Sequence, residues 1–173
     1  MWTHFRLAPD LITAEAWREL IEDQGVPCQI WPLDLKMRGA VFTPYQVVVV
    51  ASMIEREAEV EGDRAKIASV IYNRLAKGMS LGIDATLLYD DPTPDGQLST
   101  SDLKTDTPYN TRLNAGLPPT PISSPGRASL DAALHPADTG YLYYVLCPPD
   151  GNGVHRFATT YAEHLRNIKQ CLG

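Results

Sequence analysis

Three stretches of this sequence predict an α+β fold, mostly helical, with a small antiparallel sheet, built around one buried central helix. Val47-Val48-Val49-Val50-Ala51-Ser52-Met53-Ile54 is apolar nearly all round, the mark of a helix covered on most faces. Arg64 to Lys77 repeats apolar residues at Ile67, Val70, Ile71 and Leu75, the stripe of a second helix. Tyr141 to Leu146 and Val154 to Ala158 flank a Pro-Pro-Asp-Gly-Asn-Gly turn and read as a C-terminal hairpin. Helices in succession followed by one hairpin give an α+β layout rather than alternating parallel-sheet units.

Composition narrows the function classes. A chain of 173 residues holds one domain, here residues 41–173, with 1–40 as an N-terminal appendage. The hydrophobic fraction of 44% and charged fraction of 21% are those of an ordinary globular protein. A net charge of −6 argues against nucleic acid as a partner, because phosphate binding needs clustered Lys and Arg. Cys28, Cys147 and Cys171 have no metal-like spacing, and three idle thiols are expected of them rather than a disulfide. No stretch reaches the ~18 continuous apolar residues of a membrane span, and the N-terminal MWTHFRLAPDL carries no hydrophobic signal region.

In chain order, Thr13 to Gln24 can form a helix with Trp17, Leu20 and Ile21 on one face and Gly25 as its stop. Cys28 to Gly39 reads as a Pro-containing connector with a short strand at Gln29-Ile30-Trp31. The central helix runs from Thr43 to Glu61. Thr43 caps it, Pro44 suits its first position and Gln46 completes a capping box. After a corner at Gly62-Asp63, the second helix ends with Gly78 in a left-handed position, and Asn73 and Arg74 are placed to serve its last carbonyls. Asp84 or Thr86 opens a brief helix through Leu87-Leu88-Tyr89. Pro92 to Pro125 has loop chemistry, but Tyr109, Asn110, Leu117 and Pro118-Pro119 point to an ordered binding loop. Gly126 to about His135 is a helix with Leu130, Ala133 and Leu134 inward. Thr160 and Glu163 form a capping box that opens a C-terminal helix.

The chemistry starts where the central apolar run ends, at Glu55, Glu57, Glu59 and Glu61. On a helix, Glu55 lies below Val48 and Ala51, and Glu57 below Val50, Met53 and Ile54. Either carboxyl sits where a buried face meets the open, and desolvation there raises its pKa as a general acid requires. The sequence has no G-x-S-x-G elbow, H-E-x-x-H, phosphate-binding loop, G-x-G-x-x-G or C-x-x-C. The four histidines have no metal spacing, so neither metal nor cofactor is expected. An acid, amide hydrogen-bonders in a long loop and aromatic rings on a hairpin are the inventory of a carbohydrate site. A glycosidase needs two carboxylates, and Asp84 is the candidate for the second, its alternative role being a helix cap.

ASMIEREA, KIASVIYNRLAKGMSLGIDATLLY, LSTSDLKTDTPYNTRLNAGLPPTPISSPGRASLDAALHPADTGYLYYV and HRFATTYAEH, in that order, resemble the MltG/YceG-like endolytic murein transglycosylases. The resemblance covers about Thr43 to Asn167 and implies cleavage of the MurNAc-β-1,4-GlcNAc bond within peptidoglycan strands. In that reaction the muramic C6 hydroxyl closes onto C1, leaving a 1,6-anhydro end, and one Glu serves as acid and then base. An intramolecular nucleophile removes the need for a second carboxylate. The family's catalytic Glu, the first of A-S-x-x-E-x-E, falls on Glu55, with Glu57 tuning or positioning it. Asn73, Asp84, Thr86, Tyr109, Asn110, Thr111, His155 and Phe157 also fall on motif positions and are implied as cleft residues for substrate.

Ala85 and Leu165 depart from the Pro and Asn of many members. The family's N-terminal membrane anchor and LysM-like region are not visible in these residues. The resemblance therefore implies a catalytic fragment or shortened member, acting on the extracytoplasmic face of the bacterial membrane beside cell-wall synthases. Membrane association would come only through an anchor absent from this chain. Two other classes stay open: a non-catalytic peptidoglycan-binding module, and a hydrolase pairing Glu55 with Asp84.

Overall fold

The computed structural model describes residues 35–93, 96–151 and 153–173. The helix expected over Thr13 to Gln24 and the strand at Gln29-Ile30-Trp31 lie outside the described residues. The described chain starts with a hairpin, β1 (Leu35–Met37) and β2 (Ala40–Phe42), paired with Leu35 opposite Phe42. Its two-residue turn places Arg38 at φ 51° and Gly39 at φ 84°, the left-handed pair that matches strand twist. An arginine there is unusual, which is why the residues before Ala40 read as a connector and this hairpin was not foreseen. Its side chain compensates by bonding the Asp138 carboxylate at 2.7 Å and the Ala137 carbonyl at 2.8 Å.

Helix α1 (Pro44–Glu57) is the axis of the core. Thr43 and Gln46 form the expected capping box, and Val47 through Ile54 are all buried. The helix stops at Glu57 rather than Glu61: Ala58 is extended and closes it, and Glu61–Asp63 form a separate 3-10 turn. Glu59 and Glu61 therefore lie outside α1. Helix α2 (Arg64–Ala76) buries Ile67, Ala68, Val70, Ile71 and Tyr72. Tyr72 packs edge-on against Phe42 and donates to the Ala133 carbonyl at 3.0 Å, tying the first hairpin and the later helix to one core.

Asn73 and Arg74 do not serve the end of their own helix. Asn73 Nδ2 donates to the carbonyls of Thr139 and Tyr141, and Arg74 to those of Leu142, Ser80 and Leu81. Both satisfy carbonyls of residues that lie outside the strands. Helix α3 (Asp84–Asp90) is capped by Ile83 without a side-chain bond, so Asp84 is not its cap. Helix α4 (Arg127–Leu134) starts at Gly126 and packs on α1 and α2. A second hairpin pairs β3 (Tyr143–Leu146) with β4 (His155–Ala158), Leu146 opposite His155.

The C-terminal helix α5 (Tyr161–Leu172) opens on the predicted capping box of Thr160 and Glu163. It lies against β3 and β4, and Cys147 at the end of β3 is disulfide-bonded to Cys171. The idle-thiol expectation is thus corrected for two of the three cysteines. Twenty-four residues separate them in sequence, and only the hairpin brings them together. Among the described residues no helix is long and apolar enough to cross a membrane.

Candidate active site

Ser52, in the middle of α1, sets the geometry of the site. Its hydroxyl donates to the Val49 carbonyl at 2.7 Å and accepts the Ile122 N–H at 2.9 Å, while its own carbonyl accepts the Ser123 hydroxyl at 2.9 Å. These bonds dock residues 122–123 on the central helix one turn before Glu55, so the start of α4 arrives at the Glu55 carboxylate. There Oε2 of Glu55 accepts from the Gly126 N–H at 3.2 Å, the Ser129 hydroxyl at 2.6 Å and Arg64 Nη1 at 3.4 Å. Arg64 Nη1 also donates to Ser129 Oγ at 2.6 Å. All three bonds to Glu55 fall on one oxygen, and the side chain is 32% exposed. The N-terminal end of α4 and the guanidinium both favour negative charge at this point.

Glu57 faces elsewhere. Its Oε2 accepts the Tyr144 phenol at 2.8 Å, from the middle of β3. Burial pushes the Glu57 carboxyl above the usual carboxylate range; the Tyr144 bond pulls it back, and the nearby Asp84 charge pushes it further up. Arg112 and Arg56 act on it in the opposite direction. Burial and the Glu57 charge together push the Tyr144 phenol well up, so it keeps its proton and acts as donor. Asp84, half exposed, is ion-paired with Arg112 through both Nε and Nη2.

The other residues implied for substrate fall into two groups. Tyr109, Phe157 and His155 present rings. Tyr109 packs on Tyr89 with its hydroxyl 2.7 Å from that of Thr120, and Phe157 lies against Tyr141 and under the Lys66 ammonium. His155 meets the Tyr144 ring edge-on, and Asp63 accepts its backbone N–H at 2.8 Å while lying 3.3 Å from its Nδ1. Asn73, Thr86, Asn110 and Thr111 are buried and spend their polar atoms inside the protein. Thr86 and Thr111 hydroxyls lie 3.2 Å apart, and Thr111 accepts the Ile83 N–H. Asn110 bonds the Leu103 and Thr105 carbonyls and the Arg112 N–H, closing the loop on itself and aiming Arg112 at Asp84.

Sequence reasoning missed Tyr144, Ser129, Arg64 and Arg112. Tyr144 was read only as a strand residue and Ser129 only as part of a helix, and no local pattern marks either as facing a carboxylate. For Arg64 a signal existed: it stands three residues after Glu61, with which it pairs at 3.2 Å.

The chain matches the YceG-like family over residues 12–170. It is 45% identical over 156 residues to a Bacillus subtilis (strain 168) protein named endolytic murein transglycosylase, covering 90% of this chain and 42% of that protein. A Streptococcus pneumoniae (strain D39) protein of the same name is 29% identical over 133 residues, covering 74% of this chain and 24% of its own. The fold matches a crystal structure of a yceG-like protein from Listeria monocytogenes with a TM-score of 0.68 and 36% identity, covering 88% of this chain and 44% of that one. The chain thus spans less than half the length of each of these relatives. With the matched region running through the central helix, the loop and the second hairpin, the chain belongs to the YceG-like family.

Proposed function

We propose that this chain carries the catalytic unit of an endolytic murein transglycosylase, cleaving the MurNAc-β-1,4-GlcNAc bond inside peptidoglycan strands and leaving a 1,6-anhydro-MurNAc end. The Bacillus subtilis and Streptococcus pneumoniae relatives are named endolytic murein transglycosylase, which supports this reading. The observation that carries the chemistry here is Glu57, a carboxyl with raised proton affinity beside the cluster of Asp84, Arg112 and Tyr144. A proton donor must hold its proton near neutral pH and release it as the leaving oxygen gains charge. We assign the donor's role to Glu57, where the motif pointed to Glu55. Glu55 is engaged on one oxygen by a guanidinium, a hydroxyl and a backbone N–H, an arrangement suited to fixing the end of α1 on α4.

In this reading Glu57 gives its proton to the GlcNAc O4 as the C1–O4 bond breaks. It then takes the proton of the muramic C6 hydroxyl as O6 bonds to C1, so the carboxyl ends as it began. The Cys147–Cys171 disulfide supports an oxidising, extracytoplasmic setting, where murein lies. Cell-wall synthases, which make the strands, are the protein partners this reading implies.

The test is a digest of purified peptidoglycan by the protein, by Glu57→Gln and by Glu55→Gln, with products read by mass spectrometry. Anhydro-MurNAc ends are expected, reduced at least ~100-fold in Glu57→Gln and retained in part in Glu55→Gln. Loss confined to Glu55→Gln would return the donor's role to Glu55. Reducing ends would instead identify a hydrolase that uses Asp84 as second carboxylate. Glycan binding without cleavage would identify a binding module.

A further inference from the structure

We propose that Tyr144 is a positioning residue for the reaction: from strand β3 its phenol holds the Glu57 carboxyl in one orientation and tunes its grip on the proton. The inference rests on Glu57 as proton donor. Its own basis is geometric. Tyr144 reaches Glu57 Oε2 at 2.8 Å across the contact between the second hairpin and the end of α1, bridging elements 87 residues apart. The ring packs against His155 and Phe157, neighbours on one face of β4, at centroid distances of 5.5 and 6.1 Å. His155 is in turn held by Asp63, which is itself buried and paired with Lys66. The phenol therefore has a defended position, and with Oε2 occupied the second oxygen, Oε1, is left to handle the proton.

The charges facing Glu57 come from every element around it: Tyr144 from β3, Asp84 from α3, Arg112 from the long loop and Arg56 from α1 itself. Arg74 of α2 acts on Tyr144. Burial and Asp84 favour the neutral acid, and Tyr144 is the largest influence in the other direction, because a donated hydrogen bond stabilises the carboxylate. Without it the carboxyl would hold its proton more tightly and be less ready to release it. Tyr144 thus keeps the donor both protonated enough to start the reaction and acidic enough to finish its transfer.

Tyr144→Phe keeps the ring contacts and removes only the hydroxyl. Activity on peptidoglycan should fall as pH rises through the pKa of Glu57, and in Tyr144→Phe this alkaline limb should move up by about one pH unit. Carbon NMR of the glutamate carboxyls, with the Glu57 signal assigned by its absence in Glu57→Gln, should show the same upward move in the intact chain. The NMR spectrum also reports whether the variant is folded. A Glu57 titration unchanged in a folded Tyr144→Phe overturns the proposal and leaves Tyr144 as a packing residue. A titration that moves while the activity limb stays put overturns instead the assignment of Glu57 as donor.

Discussion

Glu55 and Glu57 stand two positions apart on α1, about 200° around the helix from each other, and this angle gives them different neighbours. Glu55 meets the start of α4 and Arg64; Glu57 meets β3. Ser129 is the hinge of the first arrangement, fully buried, donating to Glu55 while accepting from Arg64. Ser129→Ala would leave a half-buried guanidinium and carboxylate each short of a partner. The expected cost is about 1–3 kcal/mol of stability, measured by urea unfolding, with the pH dependence of activity unmoved. The sequence marked Glu55 and Glu57 equally, as the end of one apolar run. It held no sign of which carboxyl would find a phenol and which a guanidinium, because those partners lie 87 and 9 residues away.

Among the elements, caps and periodicity were legible, and so was the end of α2 before the left-handed Gly78 at φ 65°; the end of α1 was not. The capping boxes at Thr43 and Thr160 depend on residues three apart, so they were visible directly. The end of α1 at Glu57 was hidden because Glu59 and Glu61 are good helix formers. What opposes them is tertiary: Gly153, at φ 75°, brings the turn of the second hairpin so close that a Cβ there would lie 2.6 Å from Glu59 Cβ. Helix α5 shows the same dependence. It is exposed along much of its length, including Tyr161, Leu165 and Leu172, and the disulfide pins its last turn to the end of β3. Reduction, or Cys147→Ser with Cys171→Ser, should cost about 3 kcal/mol, seen as a lower thermal midpoint, with cleavage chemistry unchanged because neither sulfur lies at Glu57.

For the molecule as a whole, a carboxyl kept in a buried place costs stability. The folded-state pKa of Glu57 lies above its unfolded value, so the native state binds the extra proton in the interval between them. Stability contributed by this group is present below the unfolded pKa and is lost as pH rises through the folded one. Glu57→Gln, which cannot ionise, should therefore gain on the wild type as pH rises. We expect a higher thermal midpoint than the wild type near neutral pH and little difference at acid pH. A scanning calorimetry series across pH checks it.

The sequence by itself determined the buried central helix, its partner helix, the second hairpin, both capping boxes and the carboxylates at the helix end. These depend on patterns spanning a few residues, where one period or one cap is enough. Only the tertiary structure decided the Arg38 turn, the disulfide, the inward use of Asn73, Thr86, Asn110 and Thr111, and the division of Glu55 from Glu57. Each of these is a contact between segments far apart in the chain, and a carboxyl's proton affinity follows from what the fold brings against it rather than from its neighbours in sequence.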